Sequence, residues 1–125
     1  MKQIIYTNQA PEPIGPYSQA VMQGDVLYVS GQIAIDPKTG QLVVDNLNDE
    51  TRLVLDNMGA ILTEAGMSYS NVIKCSIFLS DMSLFSAVNE IYSDYFMDHK
   101  PARECVAVKT LPKNVNVEIS CIAGR

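Results

Sequence analysis

Two helical stripes set among strand-like runs constrain the fold of this chain more than any other feature. Val54, Met58, Ile61 and Ala65 recur at i, i+4, i+7 and i+11, one face of a helix spanning about residues 48–65. Gly66 follows, where a helix-ending glycine belongs. A second stripe, Leu84, Val88, Ile91 and Tyr95, predicts another helix that starts at Asp81, a good N-cap, and ends near Met97. Residues 3–7, 17–22 and 26–30 read as strands before the first helix, and the Gln23-Gly24-Asp25 turn makes a hairpin of the last two. Residues 72–79 lie between the helices, and residues 103–109 and 115–123 follow the second. The order β-β-β-α-β-α-β-β predicts an α/β or α+β layer with the helices on one face of a sheet. The other face would expose apolar groups such as Val72 and Phe78, and packing against further subunits is the natural cover.

A chain of 125 residues is expected to form one domain, residues 1–125. Its 47% hydrophobic and 18% charged residues suit a packed globule. The net charge of −5 argues against a nucleic-acid partner, because phosphate binding draws on Lys and Arg. Lys100, Arg103, Lys109 and Lys113 form the one loose basic cluster. Cys75, Cys105 and Cys121 are odd in number and include no Cys-x-x-Cys pair, so disulfides are not expected. The opening residues lack the apolar run of a secretory leader, and no run of about 18 apolar residues exists to span a membrane. A cytoplasmic protein is the resulting expectation.

Alternation along the later strands locates the candidate chemistry. Arg103, Cys105, Ala107 and Lys109 share one face of their strand, and Asn116, Glu118 and Ser120 share one face of the last. The side of the sheet away from the helices is therefore expected to gather Arg103, Cys105 and Glu118. Arg103 reads either as a surface ion-pair partner or as a planar fork for a substrate carboxylate. Glu118 stands in an otherwise apolar strand, where a carboxylate is costly. It reads either as a structural ion-pair partner or as a group that positions water. Cys105 reads as a pocket wall, since the only His, His99, lies in a loop and a nucleophilic Cys needs a base. One His, dispersed Cys and unclustered carboxylates fit no metal site, and no phosphate-binding glycine motif is present.

The blocks Ile14-Gly-Pro-Tyr-Ser-Gln-Ala20, Val29-Ser-Gly-Gln32, Asp36-Pro-Lys-Thr-Gly40, Val88-Asn89, Pro101-Ala-Arg-Glu-Cys-Val106 and Val117-Glu-Ile119 resemble, in order, those of the RidA/YjgF family of reactive-intermediate deaminases. The resemblance covers nearly the whole chain. It implies a chorismate-mutase-like α+β fold, with a mixed six-stranded sheet, two helices on one face, and the last strand inserted between earlier ones. It further implies a homotrimer with clefts between subunits. The implied activity is cofactor-free hydrolysis of 2-iminobutanoate and 2-iminopropanoate, or their enamine tautomers, to 2-keto acids and ammonia. By the same resemblance Arg103 clamps the substrate carboxylate and Glu118 holds the attacking water. Tyr17 closes the cleft, the backbone at Ser30 and Gly31 makes polar contacts, Cys105 lines the pocket and Asn89 supports its wall. Two departures bear on the site: His99-Lys100 runs straight into Pro101 where the family often has more residues, and Glu104 stands where a small residue is common. The competing functions are a non-catalytic sensor of 2-keto acids or similar carboxylates, and an endoribonuclease that inhibits translation.

Overall fold

The computed structural model describes residues 1–125. Six strands form one mixed sheet: β1 (Lys2–Ile5), β2 (Ala20–Gln23), β3 (Val26–Gln32), β4 (Val72–Leu79), β5 (Ala102–Ala107) and β6 (Val117–Gly124). The helices are α1 (Leu47–Glu64) and α2 (Phe85–Phe96). The strands lie in the order β1-β2-β3-β6-β4-β5. β6 enters the middle of the sheet, antiparallel to β3 and β4, as the resemblance implies. β4 and β5 are parallel, because α2 returns the chain along the sheet before β5 begins. The segment before β6 is accordingly no hairpin. It is a tight turn, Pro112–Asn114, in which Lys113 and Asn114 both take positive φ (55° and 56°).

The helices cover one face. Leu27, Val29, Cys75, Ile77, Val117, Ile119 and Cys121 of the sheet share a core with Val54, Met58 and Ile61 of α1 and with Val88, Ile91 and Phe96 of α2. Removing one such Leu, Ile or Met side chain to Ala would cost about 2–5 kcal/mol. α1 starts at the Asn46 cap, whose Oδ1 accepts from the Asp49 amide at 3.1 Å. It ends before Gly66, which takes the left-handed conformation (φ 74°) expected of it.

The structure differs from the sequence pattern in several places. β2 begins at Ala20, so Tyr17 to Gln19, expected in that strand, lie in the loop before it. The buried stripe of α2 is Val88, Ile91, Tyr92 and Phe96, with Leu84 and Tyr95 only half-buried. Asp81 caps a tight 3₁₀ turn, Met82–Leu84, before the α-helix begins at Phe85, and the tighter winding shifts the phase. Tyr95 instead reaches α1, donating to Asp56 Oδ1 at 2.8 Å. In β4 a bulge between Val72 and Lys74 reverses the alternation, so Val72 joins the core and Ile73 faces solvent. Phe78 remains on the open face, half-buried. No helix is long and apolar enough to cross a membrane.

Candidate functional site

Backbone irregularity builds the first half of the site. β3 shifts register between Val29 and Gln32, which places Ser30 and Gly31 in a bulge beside β6. The Glu118 side chain lies across this bulge. A Cβ added to Gly31 would sit 2.7 Å from Glu118 Oε2 and 2.8 Å from its Cδ, so only glycine leaves room for the carboxylate. Here the freedom of Gly31 is steric, a close approach rather than an unusual dihedral. Ser30 is held from both sides: its amide donates to Gln19 O at 2.9 Å and its hydroxyl to Ser18 O at 2.6 Å. Tyr17, half exposed at 48%, stands at the rim, its hydroxyl accepting from the Ile14 amide at 3.3 Å. Together Tyr17, Gln19, Ser30, Gly31, Gln32 and Glu118 border a cavity of about 360 Å³. Glu118 is half-buried and makes no ion pair, and burial raises its carboxyl above the ordinary value.

Side-chain packing builds the second half. Arg103 leaves β5 toward α2, and its guanidinium donates to Asn89 Oδ1 at 2.7 Å. It also lies 4.9 Å from the Tyr92 ring centroid and 5.6 Å from that of Phe85. No carboxylate pairs with it, so its remaining donors stay available. A cavity of about 440 Å³ opens there, bordered by Asn89, Tyr92, Phe96, Lys100, Pro101 and Arg103. Cys105 is half-buried against the core, and burial raises its thiol against the opposing pull of Arg103. It borders neither of the two cavities, where the resemblance implies a pocket-lining residue, and its raised thiol argues against a nucleophile.

The two halves lie on opposite faces of the sheet, which corrects the expectation that Arg103, Cys105 and Glu118 gather away from the helices. Parallel pairing sets Arg103 beside Cys75 and Cys105 beside Ile77, and both of those partners point into the helix-side core. Glu118 pairs with Phe78, which pairs in turn with Val106 on the open face. The alternation expected within β5 and β6 holds, but the register between strands sets Arg103 and Cys105 on the face opposite Glu118. Glu104 does not compete for Arg103: it lies on the open face with Lys74 (3.1 Å) and Ser76, and those two hold its carboxyl below the usual value.

Four polar residues that sequence reasoning left without a role hold the first half in place. Gln19 is buried and clamps the loop before β2, accepting from the Thr7 amide (2.7 Å) and donating to Thr7 O and Pro11 O (both 2.9 Å). Gln32 donates to Ser30 O at 3.2 Å. Asn57 of α1 donates to Ile35 O at 3.0 Å. Glu50, fully buried in the first turn of α1, accepts from Asn116 N and Nδ2 (both 2.8 Å) and from Val117 N (3.3 Å). That fixes where β6 starts, and Glu118 follows one residue later. A signal existed only for Glu50, an acid in the first turn of a helix, where the dipole favours it. No cluster of three or more His, Cys, Asp or Glu side chains is close enough to hold a metal ion.

Comparison with known proteins points to one family, whose members carry different functional names. The family described as endoribonuclease L-PSP matches residues 7–124. A RutC family protein from Pyrococcus horikoshii is 52% identical over 98% of both chains. The human 2-iminobutanoate/2-iminopropanoate deaminase is 45% identical, over 98% of this chain and 90% of its own. The crystal structure of YyfA, of the conserved Rid protein family from Yersinia pestis, superposes with a TM-score of 0.97 over the whole of both chains at 46% identity.

Proposed function

The chain belongs to the RidA/YjgF family, described as endoribonuclease L-PSP, and on that premise we propose that it hydrolyses reactive 2-imino acids, or their enamine tautomers, to 2-keto acids and ammonia. The substrates proposed are 2-iminobutanoate and 2-iminopropanoate, the pair in the human relative's name. The observation that carries this reading is a pair of complementary half-sites: a guanidinium with free donors, and an unpaired half-buried carboxylate, each at the edge of a cavity.

Hydrolysis of a protonated imine asks little of a protein. The carbon is already electrophilic, so orientation, a counter-charge and a placed water suffice. Arg103 binds the substrate carboxylate with its free donors. Glu118 holds a water and accepts a proton from it as the oxygen adds to the imine carbon. Glu118 returns that proton to the amine nitrogen of the tetrahedral adduct, which expels ammonia as its hydroxyl loses a proton and becomes the keto oxygen. Its raised carboxyl suits Glu118 to this exchange, since efficient general bases lie near the working pH. No cofactor is needed for these steps.

The half-sites face opposite ways, so one copy cannot bring them to the same imine. The proposed assembly is a homotrimer in which the Arg103 edge of one copy meets the Glu118 cavity of the next. Packing of the open faces would also cover Tyr28 and Val106, 50% and 45% exposed in the single chain. An RNA-cleaving role draws no support from a net charge of −5 with cations spread along the chain.

The test couples a serine/threonine dehydratase to the protein in amine-free buffer and follows 2-keto acid release. Wild type should accelerate release, and neither Arg103→Ala nor Glu118→Gln should match it. Unfolding and refolding the two variants together should restore about a quarter of wild-type activity, because each contributed residue is intact in half of the subunits. No acceleration by a folded wild-type trimer would sink the enzyme reading. Keto acid binding that survives Glu118→Gln in such a protein would identify a sensor instead.

A further inference from the structure

The cavity beside Arg103 holds a second cation that carboxylate binding does not require. Lys100 borders the same 440 Å³ space, and no acidic side chain does. In a chain of net charge −5, this local balance runs against the global one. The three ion pairs of the structure are Arg52–Asp94, Lys74–Glu104 and Arg125–Asp25, and neither Lys100 nor Arg103 is in any of them. Lys100 also precedes Pro101, which restricts its backbone to extended conformations. The space is an open groove rather than a closed cavity, with room along it for more than a three- or four-carbon imino acid.

We infer that Lys100 is a specificity-determining residue that binds a second carboxylate at the far end of a longer substrate, so that this chain also takes 2-imino acids with acidic side chains and binds them more tightly than the two small ones. The inference rests on the reading of Arg103 as the anchor of the first carboxylate. With Arg103 holding that group, the side chain of the substrate extends along the cavity toward Lys100. An ammonium on a flexible stem suits an end group whose position varies with chain length. The polar Ser93 and Asn89 on the α2 wall leave the passage wettable, whereas a long aliphatic side chain would meet the ammonium without a partner.

The experiment is calorimetric titration of the intact protein with two product-like probes, 2-oxoglutarate and 2-oxobutanoate. Wild type should bind 2-oxoglutarate about tenfold or more tightly than 2-oxobutanoate, as one charge-assisted hydrogen bond provides. Lys100→Gln should collapse that ratio toward one, and Lys100→Arg should retain most of it. A ratio that survives Lys100→Gln overturns the inference. So does an equal loss of both probes, which would mean that both cations grip one carboxylate. Failure of both probes to bind wild type would overturn it together with the anchoring role of Arg103, and binding of 2-oxobutanoate alone would overturn it by itself. The dehydratase-coupled assay then shows separately whether the deaminase reading stands.

Discussion

The two halves of the site are made of the same residue classes in opposite ways. On the Glu118 side the backbone does the positioning: a bulge, a glycine that a methyl group would spoil, and loop amides held by buried Gln19 and Gln32. On the Arg103 side the strand is regular and exposed, and side chains do the positioning through Asn89 and two aromatic rings. In the proposed reaction a water-holding group must sit within about 0.5 Å of its productive place, and backbone geometry gives that. An anchoring group need only reach a carboxylate, and a guanidinium steadied by side chains is enough. The comparison predicts that small steric changes damage the first half, whereas truncations damage the second.

Glu118→Gln should have the largest effect, a rate loss of about 10²–10⁴-fold with substrate binding largely kept. The same variant should melt at a higher temperature than wild type at pH 7. The folded carboxyl is raised above its unfolded value, so ionising it costs stability as pH rises through the two values. Glutamine carries no such cost, and the gap should close below the ordinary carboxylate value. A lower melting temperature for Glu118→Gln at pH 7 would contradict burial as the cause. Arg103→Ala comes next, lowering kcat/KM about 10–100-fold, mainly through KM. Equal losses in kcat would mean that Arg103 acts on the reacting atoms rather than on the carboxylate. Gly31→Ala should cost about tenfold in kcat, because the Glu118 carboxylate must move off a contact far below van der Waals distance. If instead kcat holds, the position of Glu118 over the bulge is not what the reaction uses.

The strand and helix order was legible because the helices and the longer strands carry a clear period, and the blocks around Tyr17, Ser30, Arg103 and Glu118 marked the candidate site residues. What the sequence could not show was which strand faces meet. Period two tells which residues of β5 share a face, but the parallel register that sets Arg103 beside Cys75 depends on the path of α2. The bulge at Ile73 was equally hidden, because the run from Val72 to Leu79 alternates plausibly in either phase. Gln19, Gln32 and Asn57 were invisible as anchors for a further reason. A buried amide is defined by the loop carbonyls it meets, and those carbonyls carry no side-chain signal.

Asn89→Ala should have the smallest effect, and it tests the side-chain half of the comparison most directly. Asn89 touches Arg103 through one 2.7 Å hydrogen bond, and the Phe85 and Tyr92 rings flank the same guanidinium. Removing the amide leaves those rings in place, so Arg103 keeps its region of space but loses one fixed direction. A hydrogen bond to a charged group contributes about 1.5–3 kcal/mol, and solvent exposure at this site cuts that to about 1 kcal/mol. The expected result is a rise in KM of about fivefold with kcat unchanged, and a thermal midpoint within a few degrees of wild type. Asn89→Asp should do worse despite keeping the shape, because a carboxylate at that distance would compete with the substrate for the same guanidinium. If alanine were the more damaging of the two, Asn89 would be contacting the substrate itself, and the Arg103 half would be as finely positioned as the Glu118 half.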